Sequence, residues 1–146
     1  SQDIFWNDPR VMYLSSHQSP LYPYSGEAHE RGAGNILNLP LAEGACGQEL
    51  RELYRSEALP ALHAFKPELV LISAGFDGHR LDPLAGLNLE AADYAWLTGE
   101  LIDLADRHAK GRLVSTLEGG YSLTALRDCS VAHVRALAEA DLAASA

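Results

Sequence analysis

The apolar positions fall into short blocks separated by polar, Gly- and Pro-rich stretches. After the amphiphilic opening SQDIFWNDP, the run Arg10–Ser15 (RVMYLS) carries β-branched and aromatic residues and predicts a short buried strand. Ser16–Asn35 follows without periodicity, and a loop of that length in a compact domain is either functional or disordered. Ile36–Leu41 (ILNLPL) alternates weakly and contains Pro40, which limits it to an edge strand. From Gln48 to Phe65 the apolar residues Leu50, Leu53, Tyr54, Leu59, Leu62 and Phe65 recur near helical spacing. Pro60 should kink that helix or open a new turn. Leu69–Ala74 (LVLISA) is a continuous apolar run of strand length, the pattern of a strand buried on both faces of a parallel sheet. Glu90–His108 is the clearest helix, with Tyr94, Leu97, Leu101, Leu104 and His108 on one face and Gly111 as its stop. Arg112–Leu117 predicts a further strand and Leu123–Leu137 a third helix, whose face carries Leu126, Cys129, His133, Val134 and Leu137. The tail AEADLAASA should fray.

Strands and helices alternate, which predicts an α/β domain with a parallel sheet flanked by helices. The chain has 146 residues, no internal repeat and no linker, so residues 1–146 form one domain. Acidic residues outnumber basic ones 20 to 11, for a net charge of -9, the opposite of what phosphate contacts require; no nucleic-acid partner is expected. No apolar run reaches the 18 or so residues of a membrane span, so no membrane partner is expected either. Cys46 and Cys129 form no CxxC and read as small packing side chains. With no secretory signal, this predicts a cytoplasmic protein. The first residue is Ser1, which predicts a processed start or a piece of something longer.

Ligands of a parallel sheet sit beyond the carboxyl ends of its strands. Three segments qualify: Ser15-Ser16-His17, Gly75–His79 and Glu118–Tyr121. Asp77, between Gly75 and Gly78, reads as a metal ligand or general base, or else as a helix N-cap or loop brace. Tyr121 follows two glycines that let backbone approach a ligand. Its phenol reads as a donor to a developing oxyanion or as a half-buried core aromatic. His17 and His79 stand at strand ends, whereas His63, His108 and His133 fall on helices, where packing or capping is the default. GAGN at Gly32–Asn35 is no dinucleotide fingerprint, and neither a P-loop nor a GxSxG elbow occurs.

SAGFDGHRLDPLAGLNL (Ser73–Leu89) and LEGGYSL (Leu117–Leu123) together resemble the zinc-dependent histone deacetylase and acetylpolyamine amidohydrolase family, in its bacterial class II-like form. QDIFWNDPRVMYLSSHQSPLYPYSG (Gln2–Gly26) resembles the stretch after that family's central metal motif, and the likeness runs to about Leu137. It implies the C-terminal portion of an arginase–deacetylase fold. It implies Asp77 as a zinc ligand and Tyr121 as the oxyanion-stabilising catalytic residue. Tyr22 and Leu84, with Gly119 and Gly120, would line a substrate tunnel. Ser15 would serve a K+ site, and the Phe5 and Val11 carbonyls a second monovalent cation. The implied reaction releases acetate and a free amine from an acetyl-lysine-like or acetylpolyamine-like substrate, by an enzyme that is free to form oligomers. The family's DxHHG motif and its earlier His-His pair do not occur in the chain. The expectation is therefore the C-terminal part of a deacetylase domain, inactive alone and marginally folded because a sheet edge is laid bare, or alternatively a catalytically inactive remnant acting as a binding module.

Overall fold

The computed structural model describes residues 1–22 and 24–144. Its elements are α1 (Gln2–Phe5), β1 (Tyr13–Gln18), β2 (Ile36–Leu41), α2 (Gly47–Leu53), α3 (Leu59–Phe65), β3 (Val70–Ala74), α4 (Ala91–Ala109), β4 (Leu113–Leu117) and α5 (Leu123–Ala144). All strand pairing is parallel. β1 pairs with β2 from Tyr13–Ile36 to Gln18–Leu41, and β3 with β4 from Val70–Leu113 to Ala74–Leu117. Among the described residues these are two separate two-stranded sheets.

β1 begins three residues later than its apolar run predicts. Ser15, Ser16 and His17 therefore lie within the strand, opposite Asn38, Leu39 and Pro40, and not beyond its end. The backbone ladder to β2 decides this extent; the polar side chains follow it. β2 has a single strand neighbour among the described residues, as Pro40 predicts, yet it is largely buried. Leu37, Leu39 and Leu41 pack with Leu50, Tyr54, Leu87 and Leu89 in the larger core cluster.

The expected kink at Pro60 appears as a π-turn over Tyr54–Ala58 between α2 and α3. Proline lacks the N–H of an ordinary helical turn, and the wider turn lets the chain run on. A capping box of Glu90 and Asp93 opens α4, and Lys110 closes it in a left-handed conformation (φ 54°), followed by Gly111 (φ 73°). Helix α5 continues to Ala144, through most of the tail expected to fray; Ser145 and Ala146 lie outside the described residues. No helix among the described residues is long and apolar enough to cross a membrane.

β3 and β4 are not buried on both faces. Val70, Ile72 and Leu113 pack under Leu62, Leu101, Leu104, Ala105 and Ala109 from α3 and α4. Leu71 is 71% exposed and Val114 55% exposed, because the described helices cover one face of this pair. At 5 kcal/mol or so of typical domain stability, an uncovered row of that kind matters.

Polar brackets hold the segment between β1 and β2. Glu30 Oε2 accepts from the Gly26 N–H (2.7 Å), the Glu27 N–H (3.1 Å) and Gln2 Nε2 (2.7 Å). A Cβ at Gly26 (φ 96°) would fall 2.5 Å from His17 Nε2, so this turn requires glycine. Further along, the Asn35 side-chain amide donates to three carbonyls of the N-terminal arch: Phe5 (2.8 Å), Asp8 (3.0 Å) and Val11 (2.8 Å). Asn35 itself is buried, and its Oδ1 accepts from the Ala33 N–H.

The helix histidines pack, as their positions suggest. Thr98 Oγ1 donates to the Tyr94 carbonyl (2.6 Å), so His133 Nδ1–H donates to Thr98 (2.7 Å) and Nε2 accepts from Ser115 (2.9 Å). The buried ring thus ties α4, α5 and β4 together in its neutral form, and burial holds its pKa below the ordinary 6.5. His63 Nδ1 and His108 Nε2 meet at 3.0 Å between α3 and α4. Burial, then the positive charges of His63, Arg107 and Lys66, lower the His108 pKa too.

In the unfolded chain a histidine gains its proton as pH falls through about 6.5, whereas folded His133 and His108 stay neutral to lower pH. The unfolded state then binds more protons, so stability should fall as pH drops below about 6.5 and level off beneath the folded pKa values. Thermal melts across about pH 7.5 to 5 should show this, and a His108→Gln/His133→Gln variant should flatten the profile; an unchanged slope would refute the assignment. Asn35→Ala should cost about 1–3 kcal/mol in urea unfolding by orphaning the arch carbonyls. Asn35→Asp should cost more, since it turns an oxygen toward three others.

Candidate functional site

β3 and β4 end side by side, and their parallel register brings the two following segments together. The Glu118 N–H donates to the Ala74 carbonyl (3.0 Å) and the Phe76 N–H to the Gly119 carbonyl (2.8 Å). The segment after β4 thereby crosses over Asp77. A Cβ at Gly119 would lie 2.8 Å from Asp77 Oδ2, and one at Gly75 would lie 3.0 Å from Oδ1. Both glycines clear a cradle for that carboxylate. Gly120 takes φ +129°, and a Cβ there would meet Phe76 Cβ at 3.1 Å.

Asp77 is partly buried and caps no helix. Among the described residues the hydrogen bonds around it run between backbone groups and through Asp82. Behind it lies Tyr94, edge-on to Phe76 with centroids 5.1 Å apart. Among the described residues the buried Tyr94 phenol finds no hydrogen-bond partner. Burial, then the charges of Cys129, Asp77, Asp82 and Asp93, push its pKa up, so it stays neutral.

Tyr121 is 59% exposed, so the core of the described residues does not cover it. Its N–H donates to Asp82 Oδ2 (2.8 Å), while Asp82 Oδ1 accepts from the Leu84 N–H (2.9 Å). Sequence reasoning missed Asp82. Its signal was the Asp82-Pro83 pair, since an aspartate before proline often accepts the N–H two residues on. His79 is a loop brace. It is buried, its Nδ1 accepts from the Leu81 N–H (3.1 Å), its carbonyl accepts from the Asp82 N–H (2.8 Å), and Nε2 lies 3.7 Å from Glu90.

Asp77, Gly119, Gly120 and Tyr121 thus share one edge of the sheet, with Leu84 joined to them through Asp82. The other expected residues lie on the β1–β2 half. Tyr22 is exposed and stacks edge-on with Tyr24 at 6.5 Å. The Gly26 carbonyl can only accept, so His17 Nε2–H donates to it (2.9 Å), and Ser15 Oγ–H donates to His17 Nδ1 (2.9 Å). The Ser15 oxygen keeps its lone pairs for another partner. The Phe5 and Val11 carbonyls, expected to serve a second monovalent cation, each accept from the Asn35 amide and keep a second lone pair. Gln18 Oε1 links the halves by accepting from the Gly86 N–H (2.6 Å).

Among the described residues no three His, Cys, Asp or Glu side chains converge as a metal site. Asp77 in its glycine cradle fits a metal as a single ligand, whereas a catalytic zinc commonly takes three from protein.

The histone deacetylase domain model matches residues 1–137. The chain belongs to the histone deacetylase domain family. It is 41% identical over 150 residues to a "Probable deacetylase" of Archaeoglobus fulgidus, covering 99% of this chain and 42% of that protein. It is 36% identical over 142 residues to the "Histone deacetylase-like amidohydrolase" of Pseudomonas aeruginosa, covering 94% of this chain and 37% of that one. The crystal structure of the HDA15 HD domain superposes with a TM-score of 0.87 at 33% identity, over 93% of this chain and 39% of that one. The histone deacetylase fold expected from the GFD and EGGY segments is therefore the fold observed. The chain spans about two fifths of the length of these relatives.

Two glycines of this deacetylase-family chain should respond oppositely to alanine. Gly120→Ala should lower stability by about 1–3 kcal/mol through backbone strain and contact with Phe76. Gly99→Ala, inside α4 with nothing within 4 Å of the added Cβ, should raise it by about 0.5–1 kcal/mol. Urea denaturation reads both, and equal effects would contradict the geometry.

Proposed function

We propose that this chain is the C-terminal part of a zinc-dependent deacetylase domain, and that the whole domain hydrolyses the amide of an acetylated amine to acetate and the free amine. The observation that carries this reading is the Asp77 carboxylate, cradled by Gly75 and Gly119 beside the Gly120–Tyr121 turn. Asp77 would hold zinc together with ligands from outside this chain. Zinc, when bound, supplies polarisation of the acetamide carbonyl and a water of lowered pKa. Tyr121 would donate its phenolic hydrogen to the oxyanion that develops on that carbonyl. Tyr22 and Leu84, both exposed apolar side chains, with the side-chain-free Gly119 and Gly120, would line the approach of an acyl-alkylamine arm. That lining favours acetyl-lysine-like or acetylpolyamine-like substrates. Ser15, whose hydroxyl proton is committed to His17, would offer its lone pairs to K+. Two free thiols, Cys46 and Cys129, support a reducing compartment such as the cytoplasm.

The 146-residue chain alone supplies one metal ligand, and we propose that it is inert by itself. Its exposed Leu71–Val114 face supports the same view, since such a face calls for a covering layer.

The test uses the full-length protein, loaded with zinc and assayed on acetyl-lysine peptides and N-acetylated diamines. Asp77→Ala should remove stoichiometric zinc and lower turnover by orders of magnitude. Tyr121→Phe should lower kcat by about 10²–10³ with a much smaller change in KM. Normal zinc content in the first variant would remove Asp77 from the metal site. A change below about fivefold in the second would leave Tyr121 no oxyanion role.

A further inference from the structure

Tyr121 lacks the usual means of holding a side chain still. Its ring is mostly exposed, it sits outside helix and strand, and it follows Gly120, whose φ of +129° belongs to the most permissive residue type. On its N-terminal side the nearest backbone anchor is the Gly119 carbonyl, which accepts from the Phe76 N–H. On its C-terminal side helix α5 begins at Leu123, with the Ser122 carbonyl accepting from the Leu126 N–H. Between these two anchors, the side chain that reaches the backbone is Asp82, through the Tyr121 N–H at 2.8 Å.

Asp82 is itself fixed. It is 8% exposed, its own N–H donates to the His79 carbonyl (2.8 Å), and Pro83 restricts its backbone. Its two oxygens are divided between two backbone donors, Tyr121 N–H on Oδ2 and Leu84 N–H on Oδ1. Charge-assisted bonds donated to a buried carboxylate are stronger than neutral ones. One carboxylate therefore spans the backbone of an exposed apolar residue and that of the phenol.

We propose that Asp82 is a positioning residue for the deacetylase reaction, setting where the Tyr121 phenol stands and how far it lies from Leu84. It touches neither substrate nor reacting atoms; it acts through the Tyr121 and Leu84 main chain. This rests on the deacetylase reading for its kinetic consequence, and on the hydrogen bonds alone for its structural one.

The experiment uses the full-length protein and two readouts. In kinetics, Asp82→Ala should lower kcat by about 10²-fold with KM little changed, the cost of displacing a catalytic group by about 1 Å. Placed in a Tyr121→Phe background, Asp82→Ala should lower kcat by less than about threefold more, because its effect passes through the phenol. Asp82→Asn, which keeps one acceptor oxygen, should recover part of the loss. In hydrogen exchange, the amide of Tyr121 should exchange about tenfold faster in Asp82→Ala and less so in Asp82→Asn, while Leu113–Leu117 keeps its protection. Losses that multiply in full in the double variant, or unchanged exchange at Tyr121, would overturn the proposal. Should Asp82→Ala fail to fold, Asp82→Asn carries both readouts. A wild-type protein without turnover would sink the deacetylase reading, and hydrogen exchange would still decide the contact.

Discussion

Parallel strands finish at the same edge of a sheet, and the residue-for-residue register of β3 with β4 makes Ala74 and Leu117 finish together. Everything at the candidate site depends on that coincidence. Asp77 and Tyr121 are separated by more than forty positions in sequence, and no local preference could bring them near. Once the strands are paired, the Glu118 N–H bonds the Ala74 carbonyl and the Phe76 N–H bonds the Gly119 carbonyl, and the crossing is fixed. The crossing is then so close that Cβ atoms at Gly75 or Gly119 would strike the carboxylate. The glycines of GFDG and EGGY are thus the steric condition for two loops to share one small space.

Much of this was legible in the sequence. The runs LVLISA and RLVSTL specified strands by continuous apolar character, and the Tyr94–His108 spacing specified a helix. The strand-end rule then singled out Asp77 and Tyr121. What the sequence hid were features set by partners. β1 slid three residues toward the polar side because pairing with β2 outweighs side-chain hydropathy. The open face of β3 and β4 could not be read, since an apolar run reports what a strand can bury and not what lies over it. Asp82 escaped notice because its role is to accept main-chain N–H groups, a task that leaves little trace beyond an Asp-Pro pair.

The two halves of the molecule are stabilised differently. β2 and α2 close over leucines, and their order follows from burial. The segments flanking the site have few such contacts. Polar side chains that each join several groups brace the chain instead: the partly buried Glu30 in the β1–β2 connection, the buried Asp82 beneath Tyr121, and the buried His133 between α4, α5 and β4. A buried polar group is costly unless satisfied, which makes each bracket intolerant of substitution but geometrically definite. Apolar packing tolerates small displacements, whereas a carboxylate with two donors fixes both position and direction. That distinction gives the turn at Tyr121 a definite backbone geometry without deep burial.

Asn35 carries this logic to the other end of the chain. Three carbonyls from the first eleven residues turn inward around one nitrogen, an arrangement that resembles ion solvation with an amide at the centre. A dissolved ion filling such a ring would come and go with its concentration, and the arch would loosen in a dilute medium. The amide cannot diffuse away. Its local concentration is set by the backbone, so these three bonds persist at any dilution. The segment that leads into β1 therefore keeps its shape on the chain's own terms.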